Sequence, residues 1–175
     1  WATCVGDVWY TQNFLYDVVA RLAPSINSPR YAHAFARLPL PTSDAWSYFE
    51  VELTFEGDFV ECFVGAQSAK ETRRGVVCGK SRGSFGVATL GGLYSEGAFR
   101  RGGIGDRACD RVGVLSRVVG EHRHVIFVAR RRGGSSRRAA GACQVSLSQD
   151  VFPTVTLRSR GVAVKALLDA SVLPR

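Results

Sequence analysis

Methionine is absent from this chain of 175 residues, and lysine is nearly absent. Only three of its 23 lysine and arginine residues are lysines, namely Lys70, Lys80 and Lys165. The net charge of +8 and the pI near 9.7 are therefore due to arginine. Translation begins with methionine, so Trp1 is not a natural translation start. We therefore expect this sequence to be an excised domain, the ordered part of a longer chain or a processed product.

Cysteine pairs and long apolar runs are also lacking. The cysteines are odd in number, widely spaced and without a C-x-x-C motif; they are Cys4, Cys62, Cys78, Cys109 and Cys143. This spacing excludes a disulfide scaffold and predicts reduced, packed thiols in an intracellular compartment. No apolar run approaches the roughly 18 residues of a membrane span, and no charged-then-apolar signal segment opens the chain. We therefore expect no membrane partner.

Residues that carry catalysis are few, and none lies in a catalytic pattern. His122 and His124 would share one face of a strand, but no cysteine or carboxylate pair stands at a spacing that would complete a metal site. Ser84 lacks the G-x-S-x-G spacing of a nucleophile elbow, and the glycines of residues 102–105 are not followed by the Lys-Ser/Thr of a phosphate loop. We therefore expect no enzyme, no metal, no cofactor and no small-molecule substrate.

Strand patterns, in contrast, are frequent. Residues 48–55 alternate strictly, with Phe49, Val51, Leu53 and Phe55 on one face, which is typical of a half-buried strand. At least seven such runs follow at about ten-residue spacing, and many of the 19 glycines stand between them. The sequence therefore predicts an all-β fold of one domain, either a β-sandwich or a barrel. Of the two, we expect a two-sheet antiparallel β-sandwich.

Two local patterns predict how the first elements connect. The Glu-Gly-Asp turn after residues 48–55 predicts that residues 59–64 run back beside them as a hairpin partner. Near the start of the chain, apolar residues recur at helical spacing between residues 14 and 22, with Asn13 as a possible N-cap and Pro24 just beyond. This second pattern predicts a short N-terminal helix.

Six short motifs follow one another along the predicted strands: residues 48–52 (YFEVE), 63–65 (FVG), 84–86 (SFG) with Gly97, 105–106 or 110–114 (GD or DRVGV), 125–127 (VIF) and 151–155 (VFPTV). Their order resembles that of the SPRY/B30.2 domain family. The resemblance covers residues 46–168, so we expect residues 1–45 to be an N-terminal extension and 169–175 a C-terminal tail. It implies a SPRY-like, concanavalin-like jelly roll that recognises a protein through loops at one end, without a cofactor.

Arginine is concentrated in three segments that this fold would place in inter-strand loops. Because arginine pairs bidentately with phosphate and carboxylate, such loops suit RNA or an acidic protein, whereas the alternative is a solvated loop with no partner. We expect the contact surface in residues 66–83, 88–103 and 129–141. The candidate contact residues are Arg73, Arg74, Tyr94, Arg100, Arg101, Arg130, Arg131, Arg132, Arg137 and Arg138.

Two functions are consistent with this sequence. The first is a non-enzymatic protein-interaction module that recognises a protein partner through inter-strand loops. The alternative is a structural component of a large ribonucleoprotein, such as a mitochondrial ribosome, that contacts RNA through the arginine-rich loops. Salt dependence separates the two, because RNA binding releases several counterions. Both place the chain inside the cell, in the cytoplasm or in a mitochondrion.

Overall fold

A computed structural model shows how these patterns fold. It describes residues 3–5, 8–13, 17–22, 32–36, 38–55, 61–104, 109–131, 134, 136–158 and 162–167. In this part of the chain there is one short helix, α1 (Ala69–Arg73), which Ser68 caps. The strands are β1 (Thr3–Val5), β2 (Val8–Asn13), β3 (Asp17–Leu22), β4 (Ala32–Phe35), β5 (Ser47–Phe55), β6 (Cys62–Gln67), β7 (Phe85–Ala88), β8 (Gly92–Ser95), β9 (Ala98–Arg100), β10 (Cys109–Val119), β11 (His122–Arg131), β12 (Arg137–Ser146), β13 (Phe152–Leu157) and β14 (Val162–Leu167).

These strands form two antiparallel sheets. Sheet A has the order β1-β4-β13-β6-β7-β8-β9, and sheet B has the order β12-β11-β10-β5-β14-β3-β2. The core lies between them, where buried side chains of alternating positions meet; Phe85 of sheet A and Phe127 of sheet B, for example, are in edge-to-face contact with centroids 6.1 Å apart. The prediction of a two-sheet antiparallel β-sandwich is confirmed.

The helix α1 and the segment that follows it cover the outer face of sheet A. Phe63 points outward from β6 and packs with Val77, Cys78 and Ala88 in a second apolar cluster. In β4, His33 Nδ1 shares a hydrogen bond of 3.0 Å with Thr156 Oγ1, and the Cys78 amide donates to the same hydroxyl. This side of the sandwich is therefore a second, smaller core.

The outer face of sheet B is accessible along β10, β11 and β12. Leu115, Ile126 and Val128 are half-buried on this face, and Ala142 and Gln144 are exposed. Among the described ranges, no helix is long and apolar enough to cross a membrane.

The predicted N-terminal helix is wrong. Asp17–Leu22 form strand β3, which pairs with β2 on one side and with β14 on the other; residues 14–16 lie outside the described part of the chain. The β-branched Val18 and Val19 favour extended backbone, and pairing with two neighbouring strands outweighs the helical spacing of the apolar residues. The domain boundary at 45/46 stays a prediction, although strands from residues 1–45 are part of both sheets.

The predicted hairpin between residues 48–55 and 59–64 is also wrong. Strand β5 pairs with β10 and β14 in sheet B, whereas β6 pairs with β7 and β13 in sheet A. All six residues of β6 are buried. A strand without a wet side belongs in the middle of a sheet that is covered on both faces, and sheet A provides that environment.

Candidate interaction surface

Most of the arginine-rich segment lies in strands, which corrects the prediction that residues 129–141 form a loop. Arg130 and Arg131 end β11, and Arg137 and Arg138 begin β12. The hairpin pairs Arg130 with Arg137, so only residues 132–136 connect the two strands. The predicted contact residue Arg132 lies outside the described residues.

Strand pairing places three arginines side by side on the outer face of sheet B. Arg111 of β10 pairs with Arg130 of β11, which pairs with Arg137 of β12. Directly opposed residues of an antiparallel pair point to the same side, with Cβ atoms roughly 4.5–5.5 Å apart. We call these three residues the arginine row. On its other side, Arg111 is opposite Glu52 of β5.

Only one end of the arginine row is neutralised by acidic side chains. Arg111 donates to Glu50 Oε1 at 3.3 Å and to Glu52 Oε2 at 3.0 Å. Among the described residues, no carboxylate forms an ion pair with Arg130 or Arg137. The end of the row formed by Arg130 and Arg137 therefore carries an unbalanced positive charge. Because like charges directly opposite each other in a sheet repel, this pair is destabilising.

Tyr48 of β5 is buried on the same face of sheet B, near the arginine row. Its hydroxyl donates to Glu50 Oε2 at 2.5 Å, and its ring lies against β10 at Gly113, where a Cβ would stand 2.3 Å from the Tyr48 hydroxyl oxygen. Burial, followed by the hydrogen bond and charge of Glu50, raises the pKa of Tyr48, against the opposing charges of Arg137 and Arg130. The phenol therefore stays a protonated donor that holds Glu50 in place for Arg111.

A groove opens further along the same face. Register places Arg117 of β10, His124 of β11 and Gln144 of β12 in one row. The Arg117 guanidinium lies over the Trp46 ring, 4.8 Å from its centroid. These four side chains and Ile126 line a shallow cavity of about 390 Å³, which we call the Trp46 groove. His124 is half-buried at this position in β11.

The predicted residues of the 88–103 segment lie at the edge of the sandwich beside β12. Glu96, in the turn between β8 and β9, accepts hydrogen bonds from the Gly83 amide and from the amide and hydroxyl of Ser146. Although burial opposes it, these bonds lower the pKa of Glu96. Arg100 and Arg101 are exposed at this edge. Nearby, Arg138 donates to the Ile104 carbonyl.

The remaining predicted contact residues lie on the opposite face. Arg73 ends α1 and Arg74 is its C-cap, where Arg74 forms an exposed ion pair with Glu71. Tyr94 packs on the outer side of sheet A against Phe63 and Phe99, with centroids 5.7 and 5.2 Å away. The structure therefore brings together Arg130 and Arg137 and separates them from the 66–83 segment.

Several residues of this surface were not candidates in the sequence. Arg111 and Glu50 are 61 positions apart, and Trp46 and Arg117 are 71 apart, so only strand pairing reveals them as neighbours. The period-two pattern of residues 48–55 did place Glu50 and Glu52 on the outer side of the strand.

The thiols of the described cysteines are shielded from solvent. Cys62, Cys78, Cys109 and Cys143 are free and buried. Burial raises the pKa of Cys62 and that of Cys143 to about 12, so both stay protonated at neutral pH. Within the described ranges, no three His, Cys, Asp or Glu side chains lie together as metal ligands would.

Comparison with known proteins finds similar structures but no similar sequences. No family model matches the chain, and no curated protein matches it. A crystal structure of a human SPRY domain is similar over 92% of this chain and 96% of its own, with a TM-score of 0.69 and 20% identity. The stonustoxin structure is similar over 93% of this chain but only 26% of its own, with a TM-score of 0.61 and 11% identity. The resemblance to the SPRY/B30.2 family is thus confirmed for the fold, and the chain has a SPRY-like β-sandwich.

Proposed function

We propose that this chain is a non-enzymatic protein-interaction module that binds an acidic protein segment at the arginine row. The SPRY-like fold often mediates protein interactions, which supports the general class. The observation that carries the proposal is the pairing of Arg130 with Arg137 on adjacent strands. Among the described residues, neither guanidinium forms an ion pair with a carboxylate. The site thus lies on the strands, at the end of the β11–β12 hairpin where Arg130 pairs with Arg137.

The electrostatics of the arginine row favour an anionic partner. A carboxylate placed between Arg130 and Arg137 replaces their mutual repulsion by two charge-assisted hydrogen bonds. Both residues are in the β11–β12 hairpin, where strand pairing holds their backbones before the partner arrives. Less conformational entropy is lost on binding than with arginines on a mobile loop.

The surroundings of the arginine row favour a protein over RNA. Leu115, Ile126 and Val128 form a half-buried apolar strip on the same face. A segment that combines acidic and apolar side chains matches both the strip and the row. The net charge of +8 supports the ribonucleoprotein alternative instead. Binding that depends only on net charge can be distinguished from binding at the arginine row by experiment.

The experiment compares two charge-matched double variants in a fluorescence anisotropy titration. Arg130→Gln with Arg137→Gln removes two charges at the row, and Arg73→Gln with Arg74→Gln removes two on the opposite face. The probes are a labelled peptide with alternating glutamate and leucine and a single-stranded RNA of equal charge. We expect the row variant to bind the peptide at least tenfold more weakly and the control to bind it unchanged.

Three results would contradict the proposal. The first is an equal loss of peptide affinity in both variants, which would indicate a nonspecific effect of net charge. The second is tighter binding of the RNA than of the peptide, with a steep salt slope that the row variant reduces, which would favour the ribonucleoprotein function. The third is the absence of measurable peptide binding.

A further inference from the structure

We propose that the Trp46 groove binds a second carboxylate of the same acidic segment, six residues along from the carboxylate at the arginine row. The inference rests on the proposed function and adds the length, direction and side-chain pattern of the partner. The segment lies extended along β10 and β11, over the outer face of sheet B.

The groove has the chemistry of a carboxylate site. Arg117, His124 and Gln144 supply hydrogen-bond donors, and none of the residues that line the groove is acidic. Arg117 is held against the Trp46 ring, so its planar guanidinium is already positioned. Its Nε is shielded from solvent and has no hydrogen-bond partner. Charge complementarity therefore assigns an anionic group to this groove.

The register of the sheet sets the distance between the two sites. Arg111 and Arg117 are six residues apart on β10, and Arg130 and His124 are six residues apart on β11. At about 3.3 Å per residue, this separation is roughly 20 Å. An extended peptide also covers it in six residues, and its positions 1 and 7 then point to the same side because side chains alternate.

The surface between the two sites specifies the middle of the segment. Positions 3 and 5 of such a peptide also face the sheet, where they meet the apolar strip of Leu115, Ile126 and Val128. Positions 2, 4 and 6 face solvent. The predicted partner pattern is thus acidic-x-apolar-x-apolar-x-acidic, and its apolar pair removes further surface from water.

The test uses peptides of identical composition that differ only in spacing. One carries glutamate at positions 1 and 7 with leucine at 3 and 5, and the other carries glutamate at positions 1 and 4. We expect the first to bind about tenfold more tightly to the unmodified chain. Arg117→Gln should abolish this preference while leaving the affinity for the second peptide unchanged, and Gln144→Glu should do the same by placing a carboxylate in the groove.

His122→Gln is the matched control, because His122 is exposed one row beyond the groove and should leave the preference intact. Because Gln144 is exposed, its substitution also keeps the test valid if the Arg117 variant folds poorly. If both peptides bind equally and the arginine-row variant weakens both, the second site is overturned while the proposed function stands. If neither peptide binds, both proposals fail.

Discussion

The two broad faces of the sandwich differ in what covers them. On sheet A, α1 and the segment that follows it bury Phe63, Thr72 and His33. On sheet B, Arg130 and Ile126 remain partly exposed, and the charged residues outnumber their internal partners. The same architecture thus covers one outer face and leaves the other accessible to solvent. Substitutions on the first face should act on folding, and those on the second should act mainly on binding.

The most severe loss is expected for Phe63→Ala on the covered face. The ring is 2% exposed and packs against Tyr94, so its removal should lower the free energy of unfolding by about 3–5 kcal/mol. Ile126→Ala on the open face loses a half-buried side chain and should cost about 1 kcal/mol. Urea denaturation of both variants measures the difference, and equal losses would contradict the contrast between the faces.

Acid should destabilise the covered face through His33. Burial lowers the pKa of His33 from 6.5 to about 4, so between these values the unfolded chain binds a proton that the folded chain does not. The stability present above pH 6.5 should fall by about 3 kcal/mol as the pH decreases to 4. His33→Gln should flatten this part of the urea-derived stability profile, whereas His124→Gln on the open face should not. An unchanged profile in the His33 variant would show that another group causes the loss.

Within the open face, the two ends of the arginine row should respond differently. Arg111→Gln leaves Glu50, which is 7% exposed, without its cation and should lower the free energy of unfolding by about 1–2 kcal/mol. Arg111→Lys keeps the charge and should recover part of the loss. If the glutamine variant is as stable as the unmodified chain in urea, Glu50 does not depend on Arg111.

Arg137→Gln should have the smallest effect and the opposite sign. It removes the charge that faces Arg130, so we expect the free energy of unfolding to rise by about 0.3 kcal/mol at low salt and the gain to vanish at high salt. Urea denaturation at the two salt concentrations checks this. A loss of stability at low salt would mean that Arg137 has a stabilising partner and that the row is not preorganised for an anion.

The fold was predictable where patterns are local. The alternation in residues 48–55 involves only neighbouring residues, and the strand that it predicts is confirmed as β5. The N-terminal helix prediction failed because the apolar spacing of residues 14–22 carries no information about the two strands that flank β3. The hairpin after β5 failed for a similar reason, since a turn signal does not reveal that the chain crosses to the other sheet.

The candidate surface was predictable only in part. Arginine content identified Arg130 and Arg137, but their neighbour Arg111 depends on strand register, which the sequence pattern does not specify. The same holds for the Trp46 groove, whose three strands contribute one polar side chain each. Residue type indicated the chemistry of the site, and long-range pairing determined which residues share it.

An amide NMR titration with the glutamate-leucine peptide tests the central claim most directly, because it locates the partner on one face. We predict shifts in residues 111–117, 124–130 and 137–144 and none in α1 or at Tyr94. Shifts confined to α1 and the 74–83 segment would contradict the assignment of the arginine row as the binding surface.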